Sequence, residues 1–94
     1  MKTFLFQGDS ITDCGRKREE FYGMGSGYAN LVKASLGTDR PGEFEFLNRG
    51  VSGNRIVDLY ARMKIDLINL APDYLSIFIG VNDVWHEIAK ENGV

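Results

Sequence analysis

The 94-residue chain contains one cysteine, one histidine and two prolines. Because Cys14 has no second cysteine to pair with, an intramolecular disulfide is excluded, and so is a cysteine-based zinc site. Near its start the chain has only three consecutive apolar residues, whereas a secretory signal requires an apolar stretch of about 7 to 15 residues. These features favour a cytoplasmic protein.

The charge of the chain does not indicate a nucleic-acid partner. Lys plus Arg number 11 and Asp plus Glu number 13, which gives a net charge of −2, and a general nucleic-acid binder needs a basic excess. Apolar residues make up 44% and charged residues 26%, so we expect neither a membrane span nor a disordered tail. With 94 residues the chain has room for at most one modest domain.

Apolar runs alternate with chain breakers in a pattern that predicts an α/β protein with a mostly parallel sheet. Strands are predicted over residues 3–7, 43–47 and 74–79, and helices over residues 26–36, 55–70 and 83–91. The apolar stripes of the first two helices are Tyr28, Leu31, Val32 and Leu36, and then Ile56, Tyr60, Met63, Leu67 and Leu70. Gly37 and Pro72 are predicted to end these helices. Residues 15–25, rich in glycine and charge, are predicted to form a surface loop.

The second and third predicted strands differ in how they would be covered. Residues 43–47 alternate acidic and apolar side chains, which is typical of an edge strand with one wet face. Residues 74–79 are nearly all apolar, as in a strand covered on both faces inside a parallel sheet. Because this last strand needs neighbours that the chain does not supply, we expect the rest of the domain to follow Val94. Pairing of two chains through the exposed third strand is the alternative.

Polar, glycine-containing turns follow all three predicted strands, where open parallel sheets bind their ligands. The first loop is residues 8–13, the second loop residues 48–54 and the third loop residues 80–83. Ser10 follows the first strand directly and has the chemistry of a nucleophile. The backbone N–H groups of Ser10 and Gly53 and the side-chain amide of Asn82 are candidate donors to the oxyanion of a tetrahedral intermediate. Spacing alone leaves open a helix N-cap at Ser10 and ordinary turn roles for the other two residues.

Other catalytic and cofactor motifs are missing from these loops. Thr12 stands where a lipase-type elbow would have its second glycine. Neither phosphate-binding glycine motif opens at a strand end, so no nucleotide cofactor is expected. Asp9 is a candidate phosphoryl acceptor, but the only second carboxylate in its turn is Asp13, which is equally consistent with a solvated side chain. Arg16 and its basic neighbours are expected to be solvated.

The three loops together resemble the first three sequence blocks of the SGNH, or GDSL-type, hydrolases. The matching residues are Gly8-Asp9-Ser10-Ile11-Thr12, Gly50-Val51-Ser52-Gly53 and Gly80-Val81-Asn82-Asp83. Ile11 departs from the leucine of the family's name. The resemblance implies a flavodoxin-like fold with strand order 2-1-3, Ser10 as nucleophile, and Gly53 and Asn82 as oxyanion partners with the Ser10 N–H. It covers nearly all of this chain but about half of a family domain.

The family also needs an Asp-x-x-His, in which the histidine is the general base and the aspartate orients it. Asp83 and His86 have this spacing, but they directly follow Asn82 and so belong to the third block. The base is therefore expected from a later loop, with His86 and Trp85 as helix residues. Without that base we expect little hydrolytic turnover from residues 1–94 alone.

The sequence predicts the amino-terminal half of a serine ester hydrolase that works through an acyl-enzyme and needs neither a metal nor another cofactor. The expected substrate is a small ester, with acetylated carbohydrates as one candidate. The alternative function is a noncatalytic module in which the three loops bind an anion or a small ligand.

Overall fold

The structure is a computed structural model, and it describes residues 1–90. Its sheet has three parallel strands, β1 (Lys2–Gly8), β2 (Phe44–Asn48) and β3 (Tyr74–Phe78). The strand order is β2-β1-β3, which confirms the predicted order and the α/β fold. Phe4 of β1 lies opposite Phe46 of β2 and Tyr74 of β3. Because all three strands run the same way, their carboxyl ends meet at one edge of the sheet.

Helices fill the connections between these strands. They are α1 (Ser10–Asp13), α2 (Tyr28–Asp39), α3 (Ile56–Ala61), α4 (Met63–Asp66) and α5 (Val81–Lys90). A 3-10 turn, Ile68–Leu70, precedes β3, and residues 15–25 form neither helix nor strand, as predicted. None of the helices within residues 1–90 combines the length and the apolarity that crossing a bilayer requires.

The aromatic face of β1 builds the main core. Since side chains alternate along a strand, Phe4 and Phe6 share one face, and Phe6 packs in a cluster that includes Ala29 of α2 and Phe46 of β2. The Phe6 ring meets the Tyr28 ring edge-on, with their centroids 5.9 Å apart. On the opposite face Leu5 is fully buried, so the central strand is covered on both sides.

Helix α2 ends three residues later than the sequence predicts, and three residues of its predicted stripe, Tyr28, Val32 and Leu36, pack against the core. It continues through Gly37 and ends at Asp39, and the space where a Gly37 side chain would lie is open, so nothing there requires a helix stop. Leu31, predicted to be in the core, is 70% exposed, whereas Ala29 is fully buried. The small Ala29 lets the helix approach Phe6, which turns Leu31 towards solvent.

The single helix predicted over residues 55–70 is broken, so that prediction is wrong. Arg62 separates α3 from α4, and Leu67 separates α4 from the 3-10 turn. In α3 the buried apolar residue is Leu59, whereas Tyr60 of the predicted stripe is 74% exposed. The first break lies at Arg62, whose side chain binds the backbone at the carboxyl end of the sheet.

Strand β2 lies at an edge of the described sheet, as predicted, but its carboxyl end is more buried than the predicted alternation indicates. In β2 both Leu47 and Asn48 are buried, so the carboxyl end of this strand has no wet face. In β3, which has no neighbour on its outer side within residues 1–90, Ile77 is 51% and Phe78 52% exposed. This exposure agrees with the expectation that the third strand needs neighbours which the described part of the chain does not supply.

Gly8 ends β1 where the backbone of β3 and α1 approach most closely. A Cβ at this position would collide with the carbonyl oxygen of Phe78 and the hydroxyl of Thr12. We expect Gly8→Ala to lower the free energy of unfolding by about 1–3 kcal/mol, because the strand and helix must separate. The control Gly37→Ala, in open space within α2, should raise it by about 0.5–1 kcal/mol. Urea unfolding measures both, and equal effects of the two substitutions would contradict the close approach at Gly8.

Candidate active site

The first loop places Ser10 at the start of α1. The residue that caps this helix is Asp9, whose Oδ1 accepts a hydrogen bond from the Ile11 N–H at 3.0 Å. Asp9 is fully buried, while Ser10 is exposed. The capping role that spacing left open for Ser10 therefore belongs to its neighbour, and the Ser10 side chain lies on the surface at the carboxyl edge of the sheet.

Asp13 binds the second loop to the first. Its Oδ2 accepts hydrogen bonds from the Ser52 N–H at 3.0 Å and from the Ser52 hydroxyl at 3.1 Å. The Val51 N–H donates to the carbonyl oxygen of Gly8 at 3.1 Å. Asp13 is 5% exposed, so the interpretation of a solvated carboxylate is wrong. This aspartate positions a loop.

Gly50 lies where the second loop crosses α1. A Cβ on Gly50 would come within 2.5 Å of the Asp13 nitrogen and 2.8 Å of the Thr12 Cβ, so the close contact requires glycine. The buried amide of Asn48 reinforces this crossing, since its Nδ2 donates to Thr12 O at 2.7 Å and its Oδ1 accepts from the Gly50 N–H at 2.9 Å. These contacts fix the path of the chain towards Gly53, which has a φ of 84°, a conformation that favours glycine.

The third loop is bound to the second. Asn82 Nδ2 donates to the carbonyl oxygen of Asn54 at 3.1 Å, and the Ile56 N–H donates to Asp83 Oδ2 at 3.2 Å. An amide nitrogen carries two hydrogens, so Asn82 retains a second donor for another acceptor. The three loops that the sequence singled out thus form one connected surface around the carboxyl end of β1.

Arg62, at the break between α3 and α4, contacts the backbone beneath this surface and was not predicted from the sequence. Its guanidinium donates to backbone and side-chain acceptors at distances of 2.7 to 3.1 Å: Asn54 Oδ1, Gln7 Oε1, Arg49 O, Asp66 Oδ2 and Gly8 O. Burial lowers the pKa of Arg62 from its ordinary value, with the hydrogen bond to Asp66 opposing that shift. No sequence signal marked it, because its spacing matched no motif.

Arg16 is a second arginine whose position was not predicted. A solvated side chain was expected from the sequence, but this side chain is only 6% exposed. Its Nε donates to the carbonyl oxygen of Gly50 at 2.8 Å and lies 3.9 Å from Asp13 Oδ1. Burial lowers the pKa of Arg16, and Asp13 opposes the shift. Arg16 is therefore part of the packing between the first two loops.

The described residues contain candidate groups for acyl transfer and no evident metal site. An exposed serine hydroxyl, a loop glycine with a positive φ and a side-chain amide lie on hydrogen-bonded loops at one edge of the sheet. Within residues 1–90, no group of three or more side chains of the kinds that bind metals is gathered at one place. The side chain of His86 lies outside the described part of the structure, and the carboxylate of Asp83 accepts the Ile56 N–H.

Comparisons with known proteins agree with this fold. The model of the GDSL-like Lipase/Acylhydrolase family matches residues 6–93. An acetylxylan esterase from Geobacillus stearothermophilus is 47% identical over 88 residues, which cover 88% of this chain and 40% of that protein. The crystal structure of Axe2, an acetylxylan esterase from the same organism, matches with 43% identity and a TM-score of 0.89, over 97% of this chain and 44% of that one.

A further match extends the likeness to a second organism. A putative GDSL-like lipase from Parabacteroides merdae is 41% identical with a TM-score of 0.92, over 99% of this chain and 46% of that one. The chain therefore spans less than half the length of these relatives. Two other structures of Axe2 have alanine in place of a serine and of an aspartate, and both are described as catalytic mutants.

Asp13 offers a direct test of the contact between the first two loops. Both of its carboxylate oxygens accept hydrogen bonds, whereas an amide has only one oxygen, so Asp13→Asn leaves a donor without an acceptor. We expect the free energy of unfolding to fall by about 1–3 kcal/mol. Asp39→Asn, at an exposed position in α2, should change it by less than about 0.5 kcal/mol. Calorimetry checks both, and an Asp13 variant as stable as the control would refute the contact.

Proposed function

The chain belongs to the GDSL-like lipase/acylhydrolase family, and on that premise we propose that the complete protein is a serine ester hydrolase. The observation that carries the proposal is the exposed Ser10 at the head of α1, on a loop that is hydrogen-bonded to the loop of Gly53. That second loop is in turn hydrogen-bonded to Asn82. A nucleophile and its oxyanion donors must lie on one such rigid surface, since small misplacements cost large factors in rate.

In the proposed reaction the Ser10 oxygen attacks the ester carbonyl carbon and loses its proton to a general base. The carbonyl oxygen becomes an oxyanion, which accepts hydrogen bonds from the N–H groups of Ser10 and Gly53 and from the second amide hydrogen of Asn82. The intermediate then expels the alcohol, which takes a proton from the base, and leaves an acyl-enzyme on Ser10. Attack by water on the acyl group regenerates the serine and releases the carboxylic acid.

We propose that the general base and its orienting acid come from a part of the domain outside residues 1–94. The relatives are more than twice as long as this chain, and the carboxylate of Asp83 is already engaged by the Ile56 N–H. The exposed apolar side chains of β3 and α5, which include Phe78 and Trp85, fit a surface against which the rest of the domain packs. A second copy of the chain is the alternative occupant, and light scattering that shows only a monomer would exclude it.

The substrate class we propose is acetyl esters of carbohydrates. Support comes from the matches to acetylxylan esterase of Geobacillus stearothermophilus, in sequence at 47% identity and in structure at 43%. Acetate release from acetylated xylo-oligosaccharides, compared with hydrolysis of longer acyl esters by the same protein, distinguishes an acetylesterase from a lipase. Faster cleavage of the longer acyl chains would contradict the proposed substrate class.

The role of Ser10 is tested in the complete protein. We expect Ser10→Ala to lower kcat for acetate release by about 10⁴-fold or more, because the attacking oxygen is gone. Asn82→Ala should lower kcat by about 10²–10³-fold, since one oxyanion donor is lost. Ser35→Ala, at an exposed position of α2, should leave the rate unchanged.

Covalent labelling separates the esterase from a binding module. A fluorophosphonate should label Ser10 in the wild-type protein and not in the Ser10→Ala variant, which peptide mass spectrometry checks. A folded, complete protein that takes up no label and releases no acetate would refute the esterase and favour noncatalytic binding.

His86 provides a separate test of where the base lies. Because the base is proposed to lie in another segment, we expect His86→Ala in the complete protein to retain kcat within about twofold, as for substitutions outside the reacting groups. Residues 1–94 alone should release acetate at a far lower rate than the complete protein. Fast hydrolysis by residues 1–94 that His86→Ala abolishes would show that Asp83 and His86 are the base pair after all.

A further inference from the structure

We infer that Arg62 is a positioning residue of the active site, which sets the oxyanion donor Asn82 through Asn54. The inference rests on the proposed esterase function and adds to it a residue that touches neither the substrate nor the reacting atoms. It concerns how the amide of Asn82 is held in place before the substrate arrives.

The guanidinium of Arg62 joins segments that are far apart in the chain. Its Nη2 donates to the carbonyl oxygen of Gly8 at 3.1 Å, two residues before Ser10. Its Nη1 donates to the carbonyl oxygen of Arg49 at 2.8 Å, at the start of the second loop. The side chain is 17% exposed. Arg62 therefore lies beneath the site and contacts the backbone of both the first and the second loop.

The connection to the third loop passes through Asn54. Arg62 Nε donates to Asn54 Oδ1 at 2.7 Å, and the Asn54 N–H donates to the carbonyl oxygen of Val51 at 3.1 Å. The carbonyl oxygen of Asn54 then accepts one hydrogen of the Asn82 amide at 3.1 Å. With one hydrogen bound there, the direction of the other is set, and that hydrogen is the proposed oxyanion donor. A shift of Asn54 therefore turns the Asn82 amide.

An arginine suits this position better than any other cation. Its planar guanidinium presents five N–H donors in a fixed fork, whereas lysine has one compact ammonium group. The Asp66 carboxylate, 3.1 Å from Nη1, compensates the charge. Arg62→Lys keeps the charge near Asp66 but cannot reach Asn54 Oδ1 and Gly8 O at the same time. Arg62→Lys therefore tests the hydrogen-bond geometry of this side chain while its positive charge is kept.

The test is a double-mutant cycle on acetate release by the complete protein, with Arg62→Lys and Asn82→Ala made singly and together. Arg62→Lys should lower kcat by about 10- to 100-fold and leave KM within about threefold, as for an interaction made only in the transition state. In the Asn82→Ala background the same substitution should lower kcat by less than about threefold, because the amide on which Arg62 acts is gone. Arg40→Lys, whose side chain is 64% exposed, is the matched control and should leave kcat unchanged.

Asn54→Ala provides a second variant in case Arg62→Lys fails to fold. It removes only the acceptor of the Arg62 Nε bond and leaves the other Arg62 contacts in place. It should lower kcat in the wild-type background and have a much smaller effect in the Asn82→Ala background. Circular dichroism of each variant confirms that the kinetic comparison is made on folded protein.

The outcomes separate the inference from the proposed function. If Ser10→Ala remains active, the esterase proposal fails whatever Arg62 does. If Ser10→Ala is inactive but Arg62→Lys keeps a normal kcat, the esterase stands and the positioning role is refuted. The positioning role is also refuted if Arg62→Lys or Asn54→Ala lowers kcat equally in the wild-type and Asn82→Ala backgrounds. A general loss of structure would lower kcat by the same factor in both.

Discussion

The arrangement of the loops depends on one partly buried arginine, Arg62, at the carboxyl end of the sheet. Removing a cation from water is costly unless its donors are satisfied, and a buried ion pair is stabilising only with good geometry and further hydrogen bonds. Arg62 meets both conditions, since Asp66 lies 3.1 Å from it and two backbone carbonyls, Gly8 O and Arg49 O, accept its hydrogens. The pKa of Arg62 is lowered by burial, but an arginine starts so high that it remains charged at neutral pH. Loss of this side chain would remove donors from the backbone of both the first and the second loop.

Asp13 and Arg16 form a second polar connection between the first and second loops. Asp13 accepts from Ser52 and lies beside the buried Arg16, whose Nε binds the carbonyl oxygen of Gly50. Hydrogen bonds to charged groups contribute about 1.5–3 kcal/mol each, roughly twice the neutral value. The loops thus obtain their rigidity from charged side chains bound to backbone, whereas the apolar core around Phe6 lies lower in the sheet.

The sequence predicted the topology and the three loops, but not the contacts between them. Strand order and the positions of Ser10, Gly53 and Asn82 follow from local patterns of apolar residues and turns, together with a family resemblance. Arg62 was not predicted because its partners are up to 55 residues away in the chain, and motif spacing relates only residues that are close in sequence. The helix over residues 55–70 was predicted as continuous for the same reason, since the periodicity of its apolar residues does not reveal a polar side chain that contacts the sheet. Arg16 was predicted to be solvated from the charges around it, whereas its Nε binds Gly50 O and lies beside Asp13.

The sheet order also indicates from which side the rest of the proposed site arrives. With β1 in the centre, the nucleophile loop is flanked by the second loop after β2 and the third loop after β3. In β2, which flanks β1 on one side, Phe46 is 5% and Leu47 2% exposed, so this strand is covered by the described residues. In β3 the residues in register with them, Tyr74 and Leu75, are 45% and 41% exposed, and a parallel sheet is stable only when both faces are buried. The uncovered side is therefore that of β3, next to Asn82. On the proposal that the general base comes from another segment, this exposed side is where that segment would pack.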